Sequence, residues 1–299
     1  MSVVVLAYHQ MGWAALQTLL ESNVPVKAVF TYEDDPEENC WFDSVARLAR
    51  DAGIPAYTTR SINEPSWVDR IRGLAPDVLF SFYYRDLLRR PLLALPRLGA
   101  FNLHGSLLPR YRGRCPVNWQ LVNGERESGV TLHHMVARAD AGDIVGREVV
   151  AVGPDDTALE LYLKLVAAGR RVLVRHLDEI LSGTAPRTPQ DESHATVFGG
   201  REPEDGRIDW TRTRREIHDL VRAVAPPWPG AFFDGPDGRV RVLRTSLGAV
   251  PSGLSLVPGT LRETEGGRVF AGARDGPLEL VDVEWSPVEE LARAEELEE

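Results

Sequence analysis

Asn102 and His104 stand two residues apart in Phe101-Asn-Leu-His-Gly-Ser-Leu-Leu-Pro109, and Asp140 follows in Arg138-Ala-Asp-Ala-Gly-Asp143. A carboxamide, an imidazole and a carboxylate are the groups that an acyl transfer to an amine requires. When an amine attacks a formyl carbon, the carbonyl oxygen becomes an oxyanion and the nitrogen must shed a proton. The Asn102 amide can donate to that oxyanion, which is usually the largest catalytic contribution. His104 can donate as well, or move the proton as general acid or base. Asp140, if it meets the imidazole, favours the imidazolium and fixes the ring. Gly99-Ala-Phe-Asn-Leu103 reads as a short buried strand, so Asn102 and His104 point to the same side. That side opens at the strand's carboxyl end, where open α/β sheets bind ligands. Alone, Asn-x-His is equally a turn-closing asparagine and a core histidine, and the surrounding residues have to decide.

Those residues do so through resemblance. The run Asn102-Leu-His-Gly-Ser-Leu-Leu-Pro-Arg-Tyr-Arg-Gly-Arg-Cys-Pro-Val-Asn-Trp119 resembles the signature of folate-dependent formyltransferases, with Asp140 completing an Asn-His-Asp constellation. The resemblance extends from Val3 to about Leu280. It includes Ala7-Tyr-His-Gln-Met-Gly12, Phe80-Ser-Phe-Tyr-Tyr-Arg85, Gly129-Val-Thr-Leu-His133 and Pro227-Trp-Pro-Gly-Ala-Phe232. Within the family it is nearest to the formyltransferase domain of the bifunctional polymyxin-resistance protein, a lipid A modification enzyme. The resemblance implies N10-formyltetrahydrofolate as formyl donor and a nucleotide-linked amino sugar as acceptor, UDP-4-amino-4-deoxy-L-arabinose first among them, with a dTDP-linked or specialised-pathway amino sugar as the alternative. It also implies a Rossmann-like domain with a mostly parallel sheet, followed by a smaller OB-like β-barrel domain. By the same resemblance Asn102, His104 and Asp140 are catalytic. Asp86, Leu87, Leu88, Arg114, Val136, Ala137, Arg138 and Ala139 join Asp140 in the folate site.

Composition narrows the class. The chain has 299 residues, 43% hydrophobic and 26% charged, as ordinary soluble globular proteins have, and its length suits two domains. Its apolar start, Ser2-Val-Val-Val-Leu-Ala-Tyr8, lacks a basic flank and is too short for a signal peptide, so a cytoplasmic location without membrane association is expected. Cys40 and Cys115 form no pairing motif, and adjacent His133 and His134 face opposite ways on a strand, so no metal site is expected. The formal net charge is −10, and residues 204–299 carry 19 acids against 12 bases. Such a balance argues against a large nucleic-acid partner.

The elements that position the site follow from periodicity. Strands are expected over Val3–Tyr8, Val26–Thr31, Val78–Phe82, Ala100–Leu103, Gly129–Met135 and Ile144–Val152. Helices are expected over Trp13–Ser22, Ser44–Ala52, Ser66–Leu74 and Thr157–Leu181. The last carries a Thr157/Glu160 capping box, with Leu159, Leu163, Val166, Leu173, Leu177 and Ile180 on its apolar face. A Pro-bearing polar segment from Ser182 to about Arg207 reads as a linker, dividing domain 1–203 from domain 204–299. Beyond it a helix near Glu216–Val224 precedes strands over Val240–Leu243, Gly259–Leu261, Val269–Ala271 and Leu278–Val281. A charged helix or tail closes the chain over 289–299.

Alternatives inside and outside this chemistry are separable. Formylation of methionyl-tRNA calls for a basic loop after the second strand. Here Tyr32-Glu-Asp-Asp-Pro-Glu-Glu-Asn39 holds five acids and no base. Hydrolysis of formyltetrahydrofolate at the same three residues is a second class, and a non-catalytic nucleotide-sugar binder is a third. Arg110, Arg112 and Arg114 alternate through one loop and suit an anionic ligand as well as a salt-bridged surface. His9 ends the first strand beside the expected amine pocket. The absence of Gly-x-Gly-x-x-Gly and of a P-loop weakens any dehydrogenase or kinase reading.

Overall fold

The computed structural model describes residues 1–34, 39–236 and 238–287. The acids at 35–38 and the expected charged tail at 289–299 lie outside the described residues. The chain forms two compact units, one of Met1–Pro116, Glu127–Ala151 and Tyr162–Phe198, the other of Val117–Arg126, Val152–Leu161 and the chain from Gly199 onward.

In chain order the first elements are β1 (Val3–Ala7), α1 (His9–Glu21), β2 (Val26–Thr31), α2 (Val45–Asp51) and β3 (Ala56–Thr58). Next come α3 (Pro65–Gly73), β4 (Val78–Phe82), α4 (Arg90–Leu93), β5 (Gly99–His104) and β6 (Arg112–Gly113). Then follow α5 (Pro116–Val122), β7 (Glu127–His134), β8 (Ile144–Ala151), α6 (Ala158–Ser182) and β9 (Val197–Phe198).

The first unit is built on a seven-stranded sheet of order β3-β2-β1-β4-β5-β7-β8. Its first five strands are parallel, and β7 and β8 close the edge in antiparallel pairs. β1 and β4 are buried at every residue. That is why they read as unbroken apolar runs, as strands covered on both faces must. Val4, Leu6, Phe30 and Leu79 share one core with Val68 and Ile71 of α3 and Leu92 of α4. Chain order reverses between β1 and β4, so the carboxyl ends of β1, β4 and β5 border the crevice expected of such a sheet.

Several elements depart from the sequence expectation for physical reasons. Helix α1 starts at His9, four residues before the expected Trp13. Its N-cap, Tyr8, makes no side-chain cap bond; instead the Tyr162 hydroxyl accepts the Met11 N–H at 2.8 Å. A tertiary contact thus replaces the local cap signal. The Thr157/Glu160 capping box at α6 forms as expected, with Thr157 N–H 2.7 Å from the Glu160 carboxylate. Leu163, however, is 48% exposed. Val166, Leu173, Leu177 and Ile180 are buried as expected, and Leu161, Tyr162, Leu165, Ala168 and Val172 complete the buried stripe of α6 without Leu163. β3 is short and only partly buried, so no apolar run announces it.

The second unit adds α7 (Arg214–Val224), β10 (Ala231–Gly235), β11 (Gly238–Ser246), β12 (Leu261–Glu263), β13 (Val269–Ala273) and β14 (Gly276–Pro287). Thr213 and Glu216 form a reciprocal capping box at the start of α7. The five strands make an antiparallel sheet of order β10-β11-β14-β13-β12. Ile217 and Val221 of α7 pack on Val242, Ala271 and Leu278. The β12 ladder runs over Leu261–Glu263 rather than the expected Gly259–Leu261; the Thr260 N–H turns to the Val257 carbonyl at 3.0 Å, while the Gly259 N–H and the Thr260 carbonyl still bond Gly272 of β13 at 3.0 and 2.9 Å. Among the described residues, no helix is long and apolar enough to cross a membrane.

Candidate active site

Asn102 and His104 lie at the end of β5, which runs antiparallel to β7 with Asn102 opposite His133 and His104 opposite Thr131. After β7 the chain turns back through 135–143 and delivers Asp140 to both histidines. Asp140 Oδ2 is 3.6 Å from His104 Nδ1, and Oδ1 is 3.6 Å from His133 Nε2. The turn needs Gly142, since a Cβ there would overlap the His134 carbonyl oxygen. Asp140 itself takes a left-handed backbone (φ 52°), uncommon outside glycine although tolerated by aspartate. The three sequence-derived residues therefore converge, and His133 joins them. The adjacency of His133 and His134 had served only to argue against a metal site.

Hydrogen bonds fix the tautomers. His104 Nε2 lies 2.7 Å from the Tyr111 carbonyl oxygen, which can only accept, so Nε2 carries a proton and Nδ1 faces Asp140. His133 Nδ1 likewise donates to the His134 carbonyl at 2.8 Å. Its Nε2 then accepts from the Asn102 amide nitrogen at 3.3 Å when the ring is neutral. Asp140 Oδ2 also accepts the Gly113 N–H at 2.9 Å. Burial alone would push the Asp140 carboxyl up. Attraction to the His104 and His133 rings in their protonated forms, together with the Gly113 bond, outweighs it and holds the group well below the usual carboxylate range.

A clamp behind this group comes from the segment expected to be a linker. Gln190 Nε2 donates to the Asp140 carbonyl at 2.8 Å and the Gly142 carbonyl at 2.7 Å. Gln190 Oε1 accepts from Arg112 Nη2 at 2.7 Å, and Glu192 pairs with the same guanidinium at 2.7 Å. Arg112 is 1% exposed and so serves the scaffold rather than a ligand. β6 and β9 pair in parallel across the same region.

A cleft of about 520 Å³ opens over these residues. Asp86, Leu87 and Arg114 line it, as do Val136, Ala139 and Asp140. Ala137 and Arg138 lie outside that lining, and Arg138 pairs with Glu192 at 2.9 Å. The Leu88 side chain is 1% exposed and belongs to the core, which leaves only its backbone for a ligand. Among the described residues the Arg114 guanidinium makes no hydrogen bond or ion pair, and Asp86 Oδ2 is a buried acceptor without a partner. Cys115 sits half-buried on the cleft wall, and no cluster of His, Cys, Asp and Glu among the described residues could hold a metal ion. The second unit contains another cavity, of about 490 Å³, but its buried Arg222 and Asp219 satisfy each other at 2.7 Å.

His9 stands at the β1 end of the cleft, packed on Phe42 with ring centroids 4.1 Å apart. The Tyr162 hydroxyl, which accepts the Met11 N–H, lies 2.8 Å from His9 Nδ1 and can donate its proton there. Burial, aided by the Arg85 charge, pushes the His9 imidazole down to about 4. It is a neutral ring, and in that arrangement its N–H is at Nε2.

Comparison with known proteins places this geometry. Residues 1–177 match the family described as Formyl transferase, and residues 201–294 match the Formyl transferase C-terminal domain. Among solved structures, WlaRD, a sugar 3N-formyl transferase studied with dTDP and 5-N-formyl-THF, is 18% identical. It covers 96% of this chain and 98% of its own, with a TM-score of 0.71. The N-formyltransferase from Helicobacter canadensis, in complex with folinic acid and dTDP-3-aminofucose, is 19% identical over 94% of this chain and 99% of its own (TM-score 0.72). HypX from Aquifex aeolicus, with tetrahydrofolic acid, is 18% identical over 97% of this chain but 46% of its own (TM-score 0.66). With residues 1–177 and 201–294 matched by the two domains of that family, the chain belongs to the formyl transferase family.

Proposed function

We propose that the chain transfers the formyl group of N10-formyltetrahydrofolate to the amino group of a nucleotide-linked amino sugar. The convergence of Asn102, His104 and Asp140 on one cleft carries this reading. The cleft also suits the donor. Leu87 and Val136, 55% and 44% exposed, offer apolar surface to a pterin. Asp86 Oδ2 supplies an acceptor for its aminopyrimidine edge, and Arg114 supplies a cation for the glutamate carboxylate.

In this reading the acceptor's neutral amine attacks the formyl carbon, and the carbonyl electron pair moves onto oxygen. Asn102 has one amide hydrogen committed to His133, and the other donates to that oxyanion. The new C–N nitrogen gives its proton to His104 Nδ1, and the resulting imidazolium is held against Asp140. As the intermediate collapses, the bond from carbon to folate N10 breaks and the same proton passes to N10. Tetrahydrofolate and an N-formyl sugar are released, with no covalent enzyme intermediate.

The sequence resemblance favours UDP-4-amino-4-deoxy-L-arabinose as acceptor. A second reading, a dTDP-linked 3-amino sugar, is favoured by the dTDP and dTDP-3-aminofucose complexes of the two full-length structural neighbours. A turnover assay with N10-formyltetrahydrofolate and each acceptor, with initiator methionyl-tRNA, and without acceptor separates them. Formylation of one nucleotide sugar is expected. Turnover confined to the tRNA, or equal turnover without acceptor, would replace this function with tRNA formylation or hydrolysis.

A further inference from the structure

Tyr83 is the first residue past β4, which ends at Phe82 beside Leu103 of β5. Its backbone is left-handed (φ 53°), a conformation that a bulky aromatic residue adopts only where its surroundings impose it. The ring packs edge-on against Tyr162, centroids 5.5 Å apart, and lies 6.4 Å from His9. Its hydroxyl comes to rest over Gly105, the residue after His104, where a Cβ would overlap the phenolic oxygen. Sequence and backbone therefore make room for this one oxygen beside the reacting groups. Yet the hydroxyl is buried and has no hydrogen-bond partner among the described residues. Burial, with smaller contributions from Cys115 and Asp140, pushes the phenol above its usual range, so it is an O–H donor at any assay pH. A buried, pre-positioned donor left unpaired in a ligand cleft calls for a partner on the ligand.

We propose that Tyr83 recognises the acceptor, its hydroxyl donating to the sugar hydroxyl on the carbon next to the amine-bearing carbon. This rests on the function proposed above. The donor's candidate contacts Asp86 and Leu87 follow Tyr83 on the segment after β4, where the Asp86 N–H bonds the Tyr32 hydroxyl at 3.1 Å, and Val136 follows β7. The Tyr83 ring itself packs on Tyr162 and lies beside His9, the group of lining residues left for the acceptor. Phe42 and Tyr162 add aromatic surface around His9 that suits the C–H faces of a pyranose. An amino sugar with its nitrogen at His104 and Asp140 carries its neighbouring hydroxyl one carbon away, within the span between Gly105 and His9.

The test compares wild type with Tyr83→Phe on two acceptors. One is whichever of UDP-4-amino-4-deoxy-L-arabinose and dTDP-3-aminofucose turns over. The other is its analogue with hydrogen in place of the hydroxyl beside the amine. Tyr83→Phe is expected to lower kcat/KM about 10- to 100-fold for the full acceptor, leaving donor KM unchanged. On the deoxy analogue the two enzymes are expected to converge. Equal losses on both acceptors would assign the hydroxyl to the oxyanion, a raised donor KM would assign it to folate, and no loss would make it idle; each overturns the proposal. Wild-type failure on both nucleotide sugars would instead sink the acceptor class, and this assignment with it. A melting curve for Tyr83→Phe keeps loss of fold separate from loss of recognition.

Discussion

Asn102 and His133 face each other directly across the β5–β7 pair, and the Asn102 amide nitrogen lies 3.3 Å from His133 Nε2. The carboxamide is thereby oriented from the neighbouring strand. With His133 Nδ1 committed to a backbone carbonyl, the ring in its neutral form presents only an acceptor to Asn102. The amide NH2 must then face His133, which leaves its second hydrogen for the cleft. The same Nε2 lies 3.6 Å from Asp140 Oδ1, so this one ring atom serves the Asn102 amide when neutral and the Asp140 carboxylate when protonated.

His133→Phe should therefore lower kcat/KM about 10- to 100-fold, the range expected when an aligned polar partner is lost. The loss should fall on kcat, because His133 positions Asn102 and Asp140 rather than holding either substrate. Steady-state kinetics beside a thermal melt checks this. Wild-type kcat in a folded His133→Phe protein would remove His133 from the site.

Gln190 yields a sharper contrast. Its amide nitrogen holds the Asp140 and Gly142 carbonyls, and its oxygen faces Arg112. Gln190→Ala removes both bonds and should lower kcat about tenfold through a loosened Asp140. Gln190→Glu would tighten the contact with Arg112 yet set a carboxylate against two carbonyl oxygens. Side-by-side kcat values should put Gln190→Glu below Gln190→Ala, even though the charge pair with arginine improves. The reverse order would mean that the Arg112 contact, not the carbonyl clamp, positions Asp140.

That Asn102 and His104 open on one cleft was legible from strand alternation, whereas Asp140 came from the family resemblance, since its place depends on the turn after β7. Asn102 and His104 share a face for the same reason that Phe101 and Leu103 share the other. His133 was not legible as a partner, because its role depends on β7 pairing antiparallel with β5 at one register. Gln190 and Arg112 are 78 residues apart. Nothing local distinguishes a polar segment that clamps a loop from one that merely links domains. The α1 start and the exposure of Leu163 failed in the same way, since each was decided by a tertiary neighbour.

His9 gives a pH signature. Its imidazole is pushed down to about 4 in the folded chain, against roughly 6.5 when unfolded. Between those values the unfolded state binds the extra proton, so stability falls as pH drops from 6.5 toward 4 and is fully present above it. The size is up to about 3 kcal/mol over that window. His9→Asn tolerates the left-handed backbone at this position (φ 64°) and still accepts from Tyr162. Urea titrations at several pH values should show a flatter profile for the variant between pH 4 and 6.5. Parallel profiles would mean that His9 titrates normally.

Gly105 and Tyr83 form a pair whose coupling has a predictable sign. In Gly105→Ala the new methyl overlaps the Tyr83 hydroxyl, whose ring is held by Tyr162 and His9 and has little freedom to retreat. Overpacking of this kind costs about 1–3 kcal/mol. No left-handed backbone requires glycine at 105, and after the hydroxyl the nearest atoms are Tyr83 Cζ at 3.6 Å and Pro116 Cγ at 3.7 Å. Both are ordinary contacts. Removing one oxygen should thus remove the clash, and Gly105→Ala should cost less than about 0.5 kcal/mol when Tyr83 is already Phe. Denaturant melts of the four proteins measure the coupling directly. Additive effects would show that Gly105 is required for some reason other than the space it leaves for the Tyr83 oxygen, and would weaken the case that this oxygen was accommodated for a ligand.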